Sequence, residues 1–341
     1  MKKIFQTIGV PGGAGYVGSK LVPALLEEGY RVKVLDAYFF GDDALAHVAN
    51  NPNLQQVKGD VRDIDVVKDF VRGCDAIIHF ACISNDPSVE LDPDLSKSIN
   101  YDSFRPFVLA AKEAGVKRFI FAASSSVYGV SDAPQVTEDH PHLPITAYNK
   151  YKSMCEQVLW EEQTDAFIPV SVRPATVCGY APRLRLDLTV NILTSHAYHK
   201  GEITVFGGDQ MRPNIHIDDL VDLYLQLLVA PSEKIAGQAF NAGYENHTVR
   251  QLAEIVRDTV SERFPDIKPS IVFTDSDDVR SYHISSEKVA RAIGFVPKRD
   301  IADAVHSLLD AFEEGRVPGA LESDRYSNVR TMKELQVPVA Y

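Results

Sequence analysis

The sequence predicts an α/β protein whose core is a doubly wound parallel sheet, with a smaller mixed α/β region beside it. Apolar runs rich in β-branched residues alternate with amphipathic segments, in the order KIFQTIGV, SKLVPALLEEG, RVKVLD, VVKDFVRG and DAIIHFA. This alternation of strand and helix is typical of a parallel sheet covered on both faces. Later runs at KRFIFAAS, PVSVRPATV and QAFNAG supply enough strands for a sheet of about six or seven.

The smaller region is indicated by a change in character after about Gly179. A loop that carries Pro182, Arg183 and Arg185 leads into the helix-like DLTVNILTSHAYHKG and the run ITVFGGDQMRPNIHIDDL. The segments TVRQLAEIVRDTVSERF and SSEKVARAIG have apolar residues at helical spacing. We expect the mixed, proline-bearing tail from about Val317 to pack loosely or to belong to a subunit interface.

Composition argues against several classes of protein. The formal net charge of -12 disfavours nucleic acid as a partner, because that partner requires attraction to phosphate. No stretch reaches the ~18 apolar residues of a membrane span, and the amino-terminal apolar run leads into a glycine loop rather than a cleavage site. We therefore expect a cytoplasmic protein with no membrane partner. No CxxC pair is present, so neither a metal site nor a disulfide framework is predicted for Cys74, Cys82, Cys155 and Cys178.

A glycine-rich loop follows the first strand and reads GxxGxxG on Gly12, Gly15 and Gly18. Glycines at this spacing allow a tight turn, let the backbone approach a pyrophosphate, and let the next helix pack closely on the strand. The anion would meet the amino end of that helix, where unpaired N–H groups favour negative charge. Because a strand precedes this loop and a helix follows it, the segment predicts a Rossmann dinucleotide-binding fold.

Carboxylates follow the second and third predicted strands. Asp36 ends RVKVLD, 18 residues after Gly18, where a carboxylate accepts hydrogen bonds from the adenosine ribose and would repel a 2′-phosphate. This position favours NAD over NADP as the cofactor. Asp60 in GDVRD is a candidate acceptor for the adenine amino group, and a plain turn explains it almost equally well. His79 lies inside an apolar strand and is predicted to be a core residue rather than a catalytic one.

Three residues have the chemistry needed to oxidise a hydroxyl group. Tyr148 and Lys152 are four apart in YNKYK, so on a helix they share one face. Tyrosine has an ordinary pKa near ~10 and is a poor base, but a neighbouring ammonium and the positive nicotinamide ring stabilise its phenolate. YxxxK alone would better fit a solvated helix face. Ser124 favours the catalytic interpretation. It follows the apolar strand RFIFAA at the sheet edge where ligands bind, and a serine there can donate to a substrate oxygen.

Taken together, these motifs resemble the extended short-chain dehydrogenase/reductase family, in particular its nucleotide-sugar epimerase/dehydratase branch, which includes UDP-glucose 4-epimerases. The resemblance covers nearly the whole chain and depends on GGAGYVGS, GDVRD, HFA, SSSVYG, YNKYK, RPATV, RPNIHIDDL and RSYHISSEK in that family's order. It implies an NAD-binding domain and a substrate-binding domain. Their expected bounds are 1–178 with a returning segment at about 214–243 for the first, and 179–213 with 244–341 for the second.

By position in those motifs, the resemblance also implies roles for individual residues. Ser124, Tyr148 and Lys152 match the catalytic residues, and Asn100 matches the asparagine that supports the active-site helix. The residues expected to bind NAD are Gly12, Gly15, Tyr16, Val17, Gly18, Asp36, Asp60, Val61, Ala81, Asn100, Tyr148 and Lys152. Those expected to bind the substrate are Ser84, Ser125, Ser126, Arg185, Asn191, Arg212 and Arg280.

The reaction depends on the residues beside Ser124. Dehydratases of this family carry Asp-Glu directly after the small hydroxyl residue and decarboxylases usually keep a Glu, whereas this chain has Ser125 and Ser126. Neither serine can act as a carboxylate acid or base, so the resemblance favours a 4-epimerase that oxidises C4 transiently and returns the hydride. Net oxidation or reduction by a nucleotide-sugar 4-dehydrogenase or ketoreductase stays open, because the motifs do not separate it from epimerisation, although SSSVYG and GGAGYVGS are similar to epimerase segments. The shortened segment PRLRLDLTVN resembles enzymes of unusual surface sugars, and Ser84 stands where galactose epimerases commonly have lysine. These two departures leave the sugar and the base open.

A nucleotide-sugar carries a diphosphate, which arginines recognise well. By family pattern Arg212 and Arg280 are the preferred ligands, with Asn191 contributing and Arg183 and Arg185 as further candidates. Val205, Phe206 and Tyr282 are candidates to flank the base or the sugar, and packing explains them equally well. A homodimer through the helix that contains Tyr148 is also implied. A rival interpretation is a non-catalytic NAD-sensing protein on the same fold, although such proteins commonly lose the tyrosine or the lysine.

Overall fold

The computed structural model describes residues 3–131, 133, 135–275, 283–335 and 337. The strands are β1 Thr7–Pro11, β2 Arg31–Asp36, β3 Leu54–Lys58, β4 Ala76–His79, β5 Arg118–Ala122, β6 Ile168–Pro174, β7 Thr176–Cys178, β8 Glu202–Phe206, β9 Met211–His216, β10 Gln238–Ala242, β11 Glu245–Thr248 and β12 Ser270–Thr274. Most pairs of successive strands in the first half of the chain are separated by a helix, as the sequence predicts.

The helices begin and end close to the amphipathic segments. They are α1 Gly18–Glu27, α2 Ile64–Val71, α3 Asp86–Leu91, α4 Pro93–Lys97, α5 Phe104–Glu113, α6 Ala147–Glu162, α7 Thr189–Lys200, α8 Ile217–Val229, α9 Ser232–Ile235, α10 Val249–Arg263, α11 Glu287–Ile293, α12 Ile301–Glu313 and α13 Asn328–Glu334. A π-helical turn, Ser98–Asp102, and a 3-10 turn, Ser125–Tyr128, also border the site described below. Within the described ranges, every helix is too short or too polar to cross a membrane.

The main sheet has seven parallel strands in the order β10-β6-β5-β4-β1-β2-β3. Successive residues of its central strands enter different cores: Ile77 packs in one buried cluster and Ile78 in another, and both are fully buried. This alternation follows from the period of two along a strand, with helices covering both faces. The predicted doubly wound parallel sheet is confirmed.

A smaller region of mixed sheet and helix lies beside the main sheet. It contains a three-stranded sheet in the order β11-β9-β7 and the parallel pair β12-β8. Helices α7, α10 and α12 contact one another and bury a separate apolar cluster. The chain returns to the large sheet through α8, which contacts α1, and through β10, which pairs with β6.

His79 lies in the core, as predicted. Its ring is 4% exposed and meets Phe104 and Phe107 edge to face, at centroid distances of 5.3 and 4.9 Å. Burial, with a smaller effect of the Lys152 charge, lowers the pKa of His79 to about 3. The imidazole is therefore neutral at physiological pH and serves as an aromatic packing residue.

Candidate active site

A cavity of about 580 Å³ opens at the carboxyl ends of the main-sheet strands, where ligands gather above doubly wound sheets. Residues from the ends of β1 to β6 and from the smaller region line it together. The predicted residues in its wall are Gly12, Gly15, Tyr16, Val17, Gly18, Asp36, Asp60, Val61, Ala81, Ser84, Ser124, Ser125, Ser126, Tyr148, Lys152, Arg185 and Arg212. Most of the residues singled out in the sequence thus converge on one site.

The glycine loop leaves no room for side chains at its tightest points. Gly12 has a φ of +77°, and a Cβ added there would lie 2.5 Å from the backbone nitrogen of Ala81. A Cβ on Gly18 would lie 2.5 Å from the carbonyl oxygen of Gly13. The first contact keeps β1 close to the end of β4, and the second lets α1 start directly on the loop. The start of α1 therefore lies in the cavity wall, where a helix N-terminus favours an anion.

The carboxylate of Asp36 is fixed by the backbone on both oxygens. One oxygen accepts from the Ala14 N–H at 2.9 Å and the other from the Tyr38 N–H at 2.8 Å. Burial raises the pKa of Asp36, and the backbone hydrogen bonds oppose that rise. Asp60, at the next strand end, instead receives the Arg62 guanidinium at 2.7 Å. In the described structure, Asp60 is therefore bonded to a cationic side chain, whereas Asp36 is bonded only to backbone N–H groups.

Tyr148 and Lys152 project from the first two turns of α6. The helix starts at this point because the Thr146 hydroxyl accepts the N–H of Asn149 and caps it. The Lys152 ammonium is buried, donates to the carbonyl of Ala122 at 2.6 Å, and lies 5.7 Å from the centre of the Tyr148 ring. Since Ala122 is the last residue of β5, this bond fixes the ammonium at the sheet edge, beside the phenol whose charged form it would stabilise.

Ser124 begins a chain of hydroxyl hydrogen bonds. Its Oγ accepts from the Ser126 N–H and lies 2.7 Å from the Ser126 Oγ, which in turn donates to the Asn149 side chain at 2.6 Å. Ser125, between them, is 1% exposed. The chain holds the Ser124 hydroxyl against α6. Because the Ser126 proton goes to Asn149, Ser124 donates to Ser126 here, and its hydroxyl would turn away from Ser126 to donate to a ligand.

A buried ionic network supports α6 from beneath. Arg173 donates to both oxygens of Glu156, at 2.9 and 2.7 Å, and to the Tyr128 hydroxyl at 2.7 Å. Burial alone would lower the pKa of Arg173, but its bonds to Glu156 raise it above the ordinary range. Tyr128 completes the network by donating to Asn241. The tyrosine of SSSVYG is therefore a structural residue.

Asn100 lies behind the cavity rather than in its wall. Its side chain accepts from the Ile83 N–H at 2.7 Å and donates to the Ile83 carbonyl at 2.9 Å. Its own carbonyl accepts from Cys155 of α6 at 3.2 Å. The residue thus links the π-helical turn, the loop after β4 and the active-site helix, which matches a supporting role rather than direct contact with a ligand.

Asn191 also lies outside the cavity wall, so the structure does not support its predicted contact with the substrate diphosphate. The residue is fully buried, and its amide accepts from the Gly179 N–H and donates to the Tyr16 hydroxyl and the Arg185 carbonyl. Both polar atoms are used in fixing the loop after β7. Arg280 and Tyr282 fall outside the described residues.

The carboxyl-terminal tail contributes to the site, which the sequence did not indicate. Asn328 is 2% exposed and lines the cavity with Val329. Its amide donates to Ser84 at 2.8 Å, and its backbone N–H donates to Asp187 at 2.9 Å. The expectation of a loosely packed or interface tail is therefore wrong for residues 326–329. Asn328 bonds to Ser84 and Asp187, which are far from it in sequence. A single sequence carries no local signal for such contacts.

Arg185 stands beside this wall. It forms a salt bridge with Asp187 at 2.9 Å and donates to Ser84 at 3.2 Å, and its buried Nη2 has no hydrogen-bond partner among the described residues. Arg212 enters the cavity from β9. Val205 is buried in the smaller core and Phe206 is exposed, so neither lines the cavity.

Comparison with known proteins identifies what these features have in common. The family model for the NAD dependent epimerase/dehydratase family matches residues 8–243. A UDP-glucose 4-epimerase of Lactobacillus helveticus is 29% identical over 320 residues, covering 87% of this chain and 93% of its own. UDP-glucuronic acid decarboxylase 4 of Arabidopsis thaliana is 28% identical, over 95% of this chain and 72% of its own.

A solved structure has the same overall architecture. The dTDP-glucose 4,6-dehydratase DesIV of Streptomyces venezuelae, solved with NAD bound, aligns with a TM-score of 0.80 and 25% identity. The alignment covers 90% of this chain and 97% of that one. Proteins similar to this chain therefore include an epimerase, a decarboxylase and a dehydratase.

Proposed function

The chain belongs to the NAD-dependent epimerase/dehydratase family, within the extended short-chain dehydrogenases/reductases, and we propose that it is a nucleotide-sugar 4-epimerase. The observation that carries the proposal is that Ser124, Tyr148 and Lys152 share one cavity with the glycine loop. The serines that follow Ser124 add no carboxylate to that constellation. The family fixes the cofactor class, and the local side chains favour one reaction within it.

The residues around the cavity fit NAD. The glycine loop would lose its shape with Cβ atoms at Gly12 or Gly18, as expected for a backbone that approaches a pyrophosphate. The backbone-bonded carboxylate of Asp36 suits the adenosine ribose. When bound, NAD supplies the acceptor and donor for the hydride exchanged with the sugar carbon.

The residues of the chain handle the proton. Tyr148 would take the proton from the sugar hydroxyl, because the Lys152 ammonium 5.7 Å from its ring centre stabilises negative charge on the phenol. Ser124 would donate to the same oxygen as it becomes a carbonyl. Return of the proton from Tyr148 completes the reaction, so the enzyme ends in the state in which it began.

Epimerisation is favoured over elimination and decarboxylation by what lies next to Ser124. Removal of a neighbouring group needs an acid or base at the adjacent carbon, and the positions that hold carboxylates in the dehydratases are Ser125 and Ser126. Ser126 already donates to Asn149, and Ser125 is buried. The oxidised sugar would therefore keep its substituents, and reduction on its other face gives the 4-epimer.

The substrate would carry a diphosphate held by arginines. Arg212 from β9 and Arg185 lie in the cavity wall, and the Arg185 Nη2 has no hydrogen-bond partner within the described ranges. A guanidinium there can bind phosphate oxygens. The structures of similar proteins contain nucleotide ligands, among them UDP-glucose and UDP-glucuronic acid.

We also propose a homodimer through α6, whose Tyr151, Met154 and Trp160 are only partly buried. Light scattering on the purified chain measures that assembly.

A substrate panel tests the proposed reaction. The chain is incubated with UDP-, GDP-, CDP- and dTDP-hexoses while NADH absorbance, product mass and sugar stereochemistry are recorded. A new 4-epimer of unchanged mass without accumulated NADH is the expected result. Stoichiometric NADH would instead indicate a dehydrogenase, and a product lighter by one water a dehydratase. The Tyr148→Phe variant is the control for conversion by contaminants.

A further inference from the structure

Arg183 is a buried cation, and two of its three guanidinium nitrogens have no hydrogen-bond partner among the described residues. It follows β7 in the loop to α7, is 4% exposed and lines the cavity. Its Nη2 donates to the side-chain oxygen of Asn328 at 2.5 Å. Its Nε and Nη1 are buried and have no hydrogen-bond partner among the described residues.

This arrangement differs from that of Arg185, a neighbouring cavity arginine that forms a salt bridge with Asp187 at 2.9 Å. Arg183 forms no salt bridge in the described part of the chain. Burial together with the Arg185 charge lowers the pKa of Arg183 to about 9, and the charges of Asp187 and Asp36 oppose that fall. Removing a guanidinium from water without a partner is costly. An anion that arrives in the cavity would relieve that cost.

The position of Arg183 identifies which part of the cavity such an anion would occupy. Its backbone N–H donates to the Ser19 hydroxyl at 3.2 Å, in the first turn of α1. Its guanidinium lies 4.2 Å from the centre of the Phe40 ring, which also lines the cavity after β2. A second tie joins the same two elements, because the Tyr16 hydroxyl donates to the Gly179 carbonyl at 2.5 Å. Arg183 is therefore held beside the start of α1, at the dinucleotide end of the cavity.

We propose that Arg183 binds the pyrophosphate of NAD together with the glycine loop, and that Asn328 positions it there. The N-terminus of α1 would supply backbone donors to the pyrophosphate, and Arg183 would supply a charged donor. Asn328 is a positioning residue, since its oxygen orients the guanidinium while its amide holds Ser84. The inference rests on NAD as cofactor and not on the 4-epimerase reaction.

The competing occupant is the diphosphate of the nucleotide-sugar. Ser19 and Phe40, which Arg183 contacts, belong to the β1 and β2 side of the cavity. Arg212, the candidate for the substrate diphosphate, enters from β9 of the smaller region. These placements favour the cofactor pyrophosphate for Arg183, and direct binding measurements separate the two ligands.

The test compares Arg183→Gln with wild type and with Arg325→Gln, which removes an arginine from a partly exposed salt bridge with Asp43. Full-length protein stripped of dinucleotide is titrated with NAD, adenosine and UDP by calorimetry. We expect Arg183→Gln to weaken NAD by about 10- to 100-fold, the effect of losing a charge-assisted contact. Adenosine and UDP should bind within about twofold of wild type. Arg325→Gln should change none of the three.

Two further measurements separate a binding role from a structural one. Since Arg183 is a buried charge with no salt bridge in the described part of the chain, the cofactor-free Arg183→Gln protein should melt at the wild-type temperature or above it. Asn328→Ala should weaken NAD in the wild-type background and have little further effect in Arg183→Gln. Unchanged NAD affinity, a selective loss of UDP binding, an equal loss of adenosine binding, or a lower melting temperature of the cofactor-free variant would each overturn the proposal. Wild-type NAD affinity in Arg183→Gln would overturn the proposal for Arg183 even if the substrate panel shows 4-epimerase activity.

Discussion

The two ends of the cavity are built by different means. At the dinucleotide end the chain offers mainly backbone: glycines that tolerate no Cβ, the start of α1, and a carboxylate bonded to two backbone N–H groups. At the hydroxyl end it offers side chains, with the ammonium of Lys152 fixed on Ala122 beside Tyr148. Binding and chemistry should therefore be separable by mutation, and each prediction below tests whether a change at one end leaves the other intact.

The largest effect is expected at the hydroxyl end. Tyr148→Phe removes the group that accepts the proton and leaves the ring in place, so turnover should fall by about 10²- to 10⁴-fold. NAD affinity and melting temperature should stay at wild-type values, because the glycine loop is untouched. Steady-state kinetics and NAD titration of the same preparation measure both. Near wild-type turnover would remove Tyr148 from its proposed role.

A change in the glycine loop should have the converse result. Gly12→Ala places a Cβ 2.5 Å from the Ala81 backbone nitrogen at a φ of +77°, which strains the loop by roughly 1–3 kcal/mol or more. We expect NAD affinity to fall by about 10- to 100-fold, with activity recovering at saturating NAD. Gly115→Ala is a matched control, because Gly115 has a φ of +83° and open space around its Cβ position. Equal NAD affinity in the two variants would argue against a close approach at Gly12.

A smaller effect on cofactor choice is expected from the carboxylate of β2. Asp36→Asn keeps the shape of the side chain and removes its negative charge, so discrimination against the 2′-phosphate of NADP should fall by about tenfold. Competition between NAD and NADP measures this ratio. If wild type already binds NADP more tightly, Asp36 does not have the selective role proposed for it.

The smallest effect at neutral pH is expected from His79, which belongs to neither end. Its pKa is about 3 in the folded protein and near ~6.5 in an unfolded chain. The unfolded state therefore binds a proton between these values that the native state does not, so stability falls as pH is lowered through this window. His79→Leu should lack that loss. Denaturant unfolding at several pH values compares the two slopes, and parallel slopes would contradict the assignment.

The sequence predicted both ends of the cavity far better than the part of its wall formed by Arg183, Ser84 and Asn328. The glycine loop, Asp36 and the Tyr148–Lys152 spacing are local patterns, so the principles of turns and helix faces locate them. That part of the wall depends on contacts between distant parts of the chain. Asn328 bonds to Ser84 across 244 residues and to Arg183 across 145, and no local pattern in one sequence encodes such pairs.

Asn191 is a second residue whose role the sequence alone could not decide. Its family position suggested a substrate ligand, whereas the fold uses its amide to fasten Gly179, Tyr16 and Arg185. An asparagine at a helix start suits either role, and only the identity of the neighbouring backbone atoms decides between them. For Arg183, the two guanidinium nitrogens without a hydrogen-bond partner among the described residues became visible only in three dimensions.

The most direct test of the proposed reaction follows a label on the reacting carbon. Nucleotide-hexoses carrying deuterium at C4 are incubated with the chain and NAD, and the products are analysed by NMR and mass spectrometry. A 4-epimerase should yield the C4 epimer with deuterium retained at C4, in an equilibrium mixture and without net NADH. A 4-keto product with one labelled NADH per turnover, or a product that has lost water or carbon dioxide, would contradict the account.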